Sequence, residues 1–313
     1  MLMTSTALMN LVLLAACCQV AASPTEPPAV EPARKAAAAV PETGSRLEVV
    51  AGFVETRRMP SPQATQAAAA DTRHCYAISN TTIATHDRRT GRLVATATAP
   101  GTQHLNSGFF HEGKLYCAHS NYPAMPHESD IRVFDPATGS LQVFHRFPDP
   151  PGSLVWCLHH EGNWWCCFAW YGEDNARSLL VEYADGGLDR ERRRFRFPDE
   201  VVADFDGMSA SGGIWQGETL LASHHHFPVL YRLALPGPEA GGREPPALDL
   251  VETLACPFPG QGIASDPVTG GLVGIDRTTR EIVLARPLRQ PPCCEAAPRS
   301  RRALLEEALE EAR

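Results

Sequence analysis

Four stretches of the chain follow one pattern, and that repeat constrains the fold more than any other feature. They are HLNSGFFHEGKLYCAHSNY (104–122), LVWCLHHEGNWWCCFAWYG (154–172), SASGGIWQGETLLASHHHF (209–227) and GQGIASDPVTGGLVGIDRTT (260–279). Each opens on small or polar residues, runs through an apolar strand, turns at Gly113, Gly162, Gly217 or Gly270, and returns through a second apolar strand. A fifth copy, TQAAAADTRHCYAISNTT (65–82), keeps the pattern without the turn glycine. Self-similarity at a fixed period marks repeat architectures, whose units bury their apolar faces only against one another.

A second hairpin follows each of the first four pairs, as in IATHDRRTGRLVATATA and IRVFDPATGSLQVFHRF. In DRRTG and DPATG an Asp opens the turn and a Gly stands where a positive φ is required, which is a hairpin signal with a mechanism. Four antiparallel strands recurring at roughly 40 to 55 residues define a propeller blade, so the expected class is all-β, a five-bladed β-propeller. A sixth blade would have to lie in 185–206, which is too short for one. The copy beginning at Gly260 supplies only three strands, ending in EIVLARPL. RLEVVAGFVE (46–55) is expected to complete it as the outer strand, giving a propeller domain over 46–290.

Laying the copies in register gathers residues from all parts of the chain at one mouth of the central channel. Gln66, Asn106, Val155, Ala210 and Gln261 occupy the position at the start of the inner strand, with Ser107, Trp156 and Ser211 beside it. At the end of the second strand the register brings in Asn80, His119, Trp170, His224 and Asp276. The amides and serines suit hydrogen bonding to a polar ligand, and Trp156 and Trp170 suit stacking on a ring. His119, His224 and Asp276 are the candidate catalytic groups for proton transfer. A divalent metal in the central channel would need His119, His224 and an Asp or His104 to meet around it; Asp204 and Asp206 are a weaker oxygen pair for calcium. Of the histidines 224–226, alternation along a strand puts His224 and His226 on one face and His225 on the other.

The ends of the chain read differently. ALMNLVLLAACC, within residues 1–22, is too short to span a bilayer and reads as a signal peptide; LAAC places Cys17 where a lipoprotein is acylated. Residues 23–45 are Pro- and Ala-rich without an apolar face, as expected of a disordered tether. Residues 291–313 are a tail whose RRALLEEALEEAR forms a short amphipathic helix. The expected location is therefore extracytoplasmic, with membrane contact only through the N-terminal lipid anchor. Ten cysteines would ordinarily suggest disulfides in such a protein, but Cys75, Cys117, Cys157 and Cys166 lie in strand-like runs where free thiols behave as small apolar residues. A formal net charge of -8 gives no basic surface for nucleic acid; GxSxG, HExxH and GxGxxG are missing from the domain, and its one GxxxxGK string, Gly108–Lys114, is followed by Leu115 where a phosphate-binding loop needs Ser or Thr.

NSGFFHEGKLYCAHSNYP, SDIRVFDPATG and GQGIASDPVTGGLVGIDR together resemble an uncharacterised family of exported bacterial β-propellers, some of whose members carry the label cycloisomerase. The resemblance covers residues 47–286 and implies a fold more than a reaction. More remotely, TQAAA at Thr65 and GQGIA at Gly260 are similar to the blade openings of the plant-type glutaminyl cyclotransferases, which are five-bladed and secreted. That family places an acidic residue at the end of its first blade's second strand, where this chain reads YAISNTT. The expected function is an exported propeller whose channel mouth holds a small polar or sugar-like molecule, as an isomerase, lyase or hydrolase. The alternative is a non-catalytic scaffold that binds a ligand or a protein on the propeller face.

Overall fold

A computed structural model describes residues 43–184, 188–237 and 245–288. The expected leader, Cys17, most of the tether (all but residues 43–45), Cys293, Cys294 and the tail helix lie outside these residues.

Strands make up five small sheets. After β1 (Val49–Ala51) and β2 (Phe53–Pro60), the first sheet is β3 (Ala67–Ala70), β4 (His74–Ile78), β5 (Ile83–Asp87) and β6 (Leu93–Ala97). The second is β7 (His104–His111), β8 (Lys114–Ser120), β9 (Ser129–Asp135) and β10 (Ser140–Phe147). The third is β11 (Ser153–His160), β12 (Asn163–Ala169), β13 (Leu179–Ala184) and β14 (Glu191–Arg196). The fourth contains β15 (Gly212–Gln216), β16 (Thr219–Ser223), β17 (Val229–Ala234) and β18 (Asp249–Ala255), and the fifth β19 (Ala264–Ser265), β20 (Leu272–Asp276) and β21 (Glu281–Pro287). Each sheet is antiparallel between sequence neighbours, and β3, β7, β11, β15 and β19 contact one another in a closed ring. This is a five-bladed β-propeller with its first strands innermost. Gly113, Gly162, Gly217 and Gly270 have φ between 59° and 77°, a left-handed turn conformation that favours glycine.

The N-terminal strand departs from the expected 46–55. Gly52 divides it: a Cβ there would stand 2.7 Å from the Ala255 carbonyl oxygen. On one side of this break β1 adds to β18 in parallel, and on the other β2 pairs antiparallel with β21, from Phe53↔Pro287 to Pro60↔Glu281. The outer strand of the fifth sheet is therefore 53–60, and the residues ahead of it belong to the fourth sheet.

Side chains between sheets form the core. Trp156 is fully buried, and Gly213 faces it with no room for a Cβ, which would lie 2.9 Å from the indole. The six described cysteines are all buried and free, including the cross-strand pair Cys157 and Cys166, and burial raises each thiol above its ordinary range. In DRERRRFRF (189–197) residues 191–194 are all exposed, and only from Phe195 on do buried Phe195 and Phe197 alternate with Arg196. Two short helical elements have no counterpart in the sequence pattern: a 3-10 helix over Gly172–Arg177, and α1 (Asp199–Asp204) before β15.

Candidate functional site

At one mouth of the channel, residues from all five sheets surround a cavity of about 120 Å³. The inner strands supply Gln66 ahead of β3, Asn106 in β7, Val155 in β11, Ser211 ahead of β15 and Gln261 ahead of β19. Bulges in β7 between Leu105 and Gly108, and in β11 between Leu154 and Trp156, release Asn106 and Val155 from the ladder to face the cavity. The segments just past the second strands supply Tyr122, Tyr171, His225 and Arg277, and His104 and Met208 complete the wall.

The amides are held firmly. Gln66 is 8% exposed and its Nε2 donates to Asn80 Oδ1 at 2.6 Å; Asn106 Nδ2 donates to the Leu154 carbonyl at 3.0 Å. Gln261, at a φ of 69°, donates from Nε2 to the His225 carbonyl at 2.9 Å. Ser211 Oγ lies 2.7 Å from His225 Nδ1. On the other side the Tyr122 ring sits 4.8 Å from that of Tyr171 and 5.4 Å from His104.

Neither imidazole of the cavity is charged at neutral pH. Burial, followed by the charges of His226 and Arg277, pushes His225 down to about 3. Burial, with His119 and Arg277, pushes His104 down to about 4. Among the described residues no Asp or Glu lines the cavity to counter this effect, and no three His, Cys, Asp or Glu side chains come together with the geometry to hold a metal ion.

Four of the expected ligand-binding residues, Gln66, Asn106, Ser211 and Gln261, therefore meet, with Asn80 positioning the first of them. Ser107 is buried beside them, donating to the Ile263 carbonyl at 3.3 Å. The aromatic candidates go elsewhere. Trp156 belongs to the core, and Trp170 lies under the Arg177 guanidinium, 3.6 Å from its carbon, with its Nε1 donating to the Pro151 carbonyl at 2.6 Å.

The three expected catalytic groups do not meet. His119 Nε2 accepts the Gln103 N–H at 2.9 Å, and its Nδ1 stands 3.1 Å from Asp130 Oδ2, close but too bent for a good hydrogen bond. His224 is fully buried; its Nδ1 accepts the N–H groups of His226 and Phe227, each at 2.8 Å, which leaves Nε2–H to donate to the Asp204 carbonyl at 3.1 Å. Asp276 pairs with Arg58 at 2.9 Å and accepts the Thr278 and Thr279 N–H groups. Burial works against its ionisation, but those partners hold its carboxyl below the usual range. Asp204 has no free oxygen for calcium, since it accepts from Ser45 Oγ, the Arg46 N–H and Tyr231 OH, and Asp206 pairs with Arg46. Sequence reasoning raised His104 only as a metal ligand and missed Tyr122, Tyr171, His225 and Arg277; three of these, Tyr171, His225 and Arg277, stand directly after a residue it had selected.

Larger grooves lie outside this mouth: one of about 540 Å³ is lined by Trp165, Trp215 and Arg193, one of about 490 Å³ by Trp170, Arg177, Arg194 and Arg196, and one of about 260 Å³ mainly by apolar residues such as Phe109, Phe110, Leu158 and Ile214. Four of their arginines already face carboxylates, Arg193–Glu182, Arg194–Glu191, Arg196–Asp199 and Arg177–Asp174, and Arg192 donates to Asn163 Oδ1 at 2.8 Å. The small cavity differs in having buried uncharged polar groups aimed at a common space, which is how small-molecule sites fix a ligand.

Fold and site together define a five-bladed β-propeller with a polar cavity at one channel mouth. The crystal structure of Myxococcus xanthus glutaminyl cyclase shares this fold, with a TM-score of 0.51 at 10% identity over 77% of this chain and 98% of that one. A chain of the mitotic checkpoint complex aligns at a TM-score of 0.39 and 10% identity over 71% of this chain and 63% of that one, and supports no inference. No protein-family model and no curated protein matches the sequence.

Proposed function

We propose that this propeller is a binding protein for a small polar molecule, held at the channel mouth by Gln66, Asn106 and Gln261 in a cavity also walled by Tyr122, Tyr171, His104 and His225. The observation that carries this reading is the meeting of three buried amides from three blades at one enclosed cavity. At about 120 Å³ it is well under the roughly 300–1,000 Å³ of drug-sized sites, so the ligand is of single-ring or amino-acid size.

A binding role fits the electrostatics better than acid–base catalysis. A general base works best with a pKa near the working pH, and His225 at about 3 is too weak a base to take the Ser211 proton at neutrality. No cyclase activity is carried over from the Myxococcus protein, because the described residues put no carboxylate at this mouth. The 2.7 Å contact between Ser211 and His225 favours a second, hydrolytic reading, in which a bound ester or amide would be turned over.

A thermal-shift screen of small polar molecules on wild type and Gln261→Leu tests the first reading: hits that raise Tm in wild type are lost in the variant. Hits unaffected by the substitution would reject it. Ester or amide hydrolysis abolished by Ser211→Ala would install the second. We propose further that the protein acts outside the cytoplasm, with residues 1–22 as its export signal and Cys17 as the acylated residue. Metabolic labelling with a radioactive fatty acid, retained in wild type and lost in Cys17→Ser, is the expected result.

A further inference from the structure

We propose that the ligand of the channel-mouth cavity is a small carboxylate that also carries N–H or O–H donors, its anionic end on Arg277 and its donor end against the carbonyl oxygens of Gln66, Asn106 and Gln261. This inference rests on the cavity being a ligand site and adds the class of molecule it takes.

Charge is the first support. Arg277 lines the cavity one residue past β20 and forms no hydrogen bond or ion pair with the described residues. Its neighbour Asp276 turns away to Arg58. The wall thus contains one cation, no carboxylate among the described residues and two imidazoles whose protonation Arg277 opposes. In a protein of formal charge -8 this is a local positive field that an anion would complete. A guanidinium meets a carboxylate through two parallel N–H donors, which gives direction as well as attraction.

Polarity at the inner-strand wall is the second support. The NH2 groups of Asn106 and Gln261 face backbone carbonyls, and that of Gln66 faces Asn80 Oδ1. The backbone carbonyls fix which amide atom is which in Asn106 and Gln261, and Gln66 takes its orientation from the Asn80 amide. The amide oxygens of all three residues are left without a protein partner among the described residues, and they are acceptors only. Three acceptors on one wall select a ligand that donates, and the guanidinium on the rim selects one that is anionic. Hydroxy acids and N-acylated amino acids meet both conditions within the size of the cavity.

The test uses matched acids and primary amides: glycolate with glycolamide, lactate with lactamide, and N-acetylglycine with N-acetylglycinamide. Binding to the full chain is followed by ligand-observed NMR in wild type, Arg277→Gln and Val155→Phe, the last filling the cavity and checked for folding by circular dichroism. The expected result is that acids bind at least about tenfold more tightly than their amides, that Arg277→Gln removes this preference, and that Val155→Phe removes all binding. Equal affinity for acid and amide, or a preference that survives Arg277→Gln, overturns the carboxylate inference and leaves the cavity as a site. Absence of any binding sensitive to Val155→Phe in a folded variant overturns the site itself.

Discussion

The imidazole of His224 lies flat on the ring of Phe227, with centroids 4.2 Å apart and planes 4° from parallel. One residue on, His225 lines the cavity and meets Ser211. Two adjacent histidines therefore do separate work, and substitution separates them. His224→Ala removes a buried ring and an acceptor shared by two backbone N–H groups, at a cost of about 2–4 kcal/mol. His224→Asn, whose Oδ1 can accept the same N–H groups, recovers a substantial part of the loss. Both leave ligand affinity within about twofold, whereas His225→Ala lowers affinity with little change in stability. Urea denaturation and binding on the same preparations measure the two effects.

Acid sensitivity has a defined window. His104 and His224 are pushed down to about 4 and His225 to about 3, all chiefly by burial. An unfolded histidine titrates near 6.5, so between about 6.5 and 4 the unfolded chain binds more protons than the folded one. Stability is full above this window and falls as pH drops through it, by about 1.4 kcal/mol per pH unit for each histidine fully engaged. Asp71, Asp130, Asp266 and Asp276, all held below their ordinary value, add losses only at still lower pH. Denaturation midpoints between pH 7.5 and 4.5 follow this slope, and His225→Gln makes it shallower.

Gly262 fixes how closely the inner strands approach. A Cβ there would lie 2.5 Å from the Cβ of Ala67 and 2.8 Å from the Ser107 side chain, while its N–H donates to the Gln66 carbonyl at 2.9 Å. Gly262→Ala is expected to cost about 1–3 kcal/mol by overpacking. It also weakens ligand binding, because Gln66 and Gln261 flank the displaced backbone. A variant that loses stability yet binds normally would show that the amides are positioned independently of this contact.

Asp204 ties the start of the described chain to the fourth blade. Its buried carboxylate accepts from Ser45, Arg46 and Tyr231 at 2.6–2.7 Å. Asp204→Ala strands those donors and is expected to lower stability by about 2–4 kcal/mol. Limited trypsin digestion after Arg46 becomes faster in the variant, and ligand affinity is unchanged.

The blades were legible because turn glycines and alternating strands repeat, and Gln66, Asn106, Val155 and Gln261 were placed at the mouth from that repeat. The far ends of the second strands were not. β16 stops at Ser223 and β20 at Asp276, and a shift of one residue carries a side chain to the opposite face. Hence His224 and Asp276 were read where His225 and Arg277 stand. Trp156 was read as a stacking group because Gly213, which makes room for it in the core, comes from another blade. The break at Gly52 depends likewise on the distant Ala255, and α1 is too short to show a periodic face.

The most direct test of the account is a crystal structure of the protein soaked with the tightest-binding small carboxylate. The account predicts density at the channel mouth, with the carboxylate against Arg277 and donor atoms within hydrogen-bonding distance of Gln66, Asn106 or Gln261. Density in the groove beside Trp165 and Trp215, with the channel mouth empty, would contradict it.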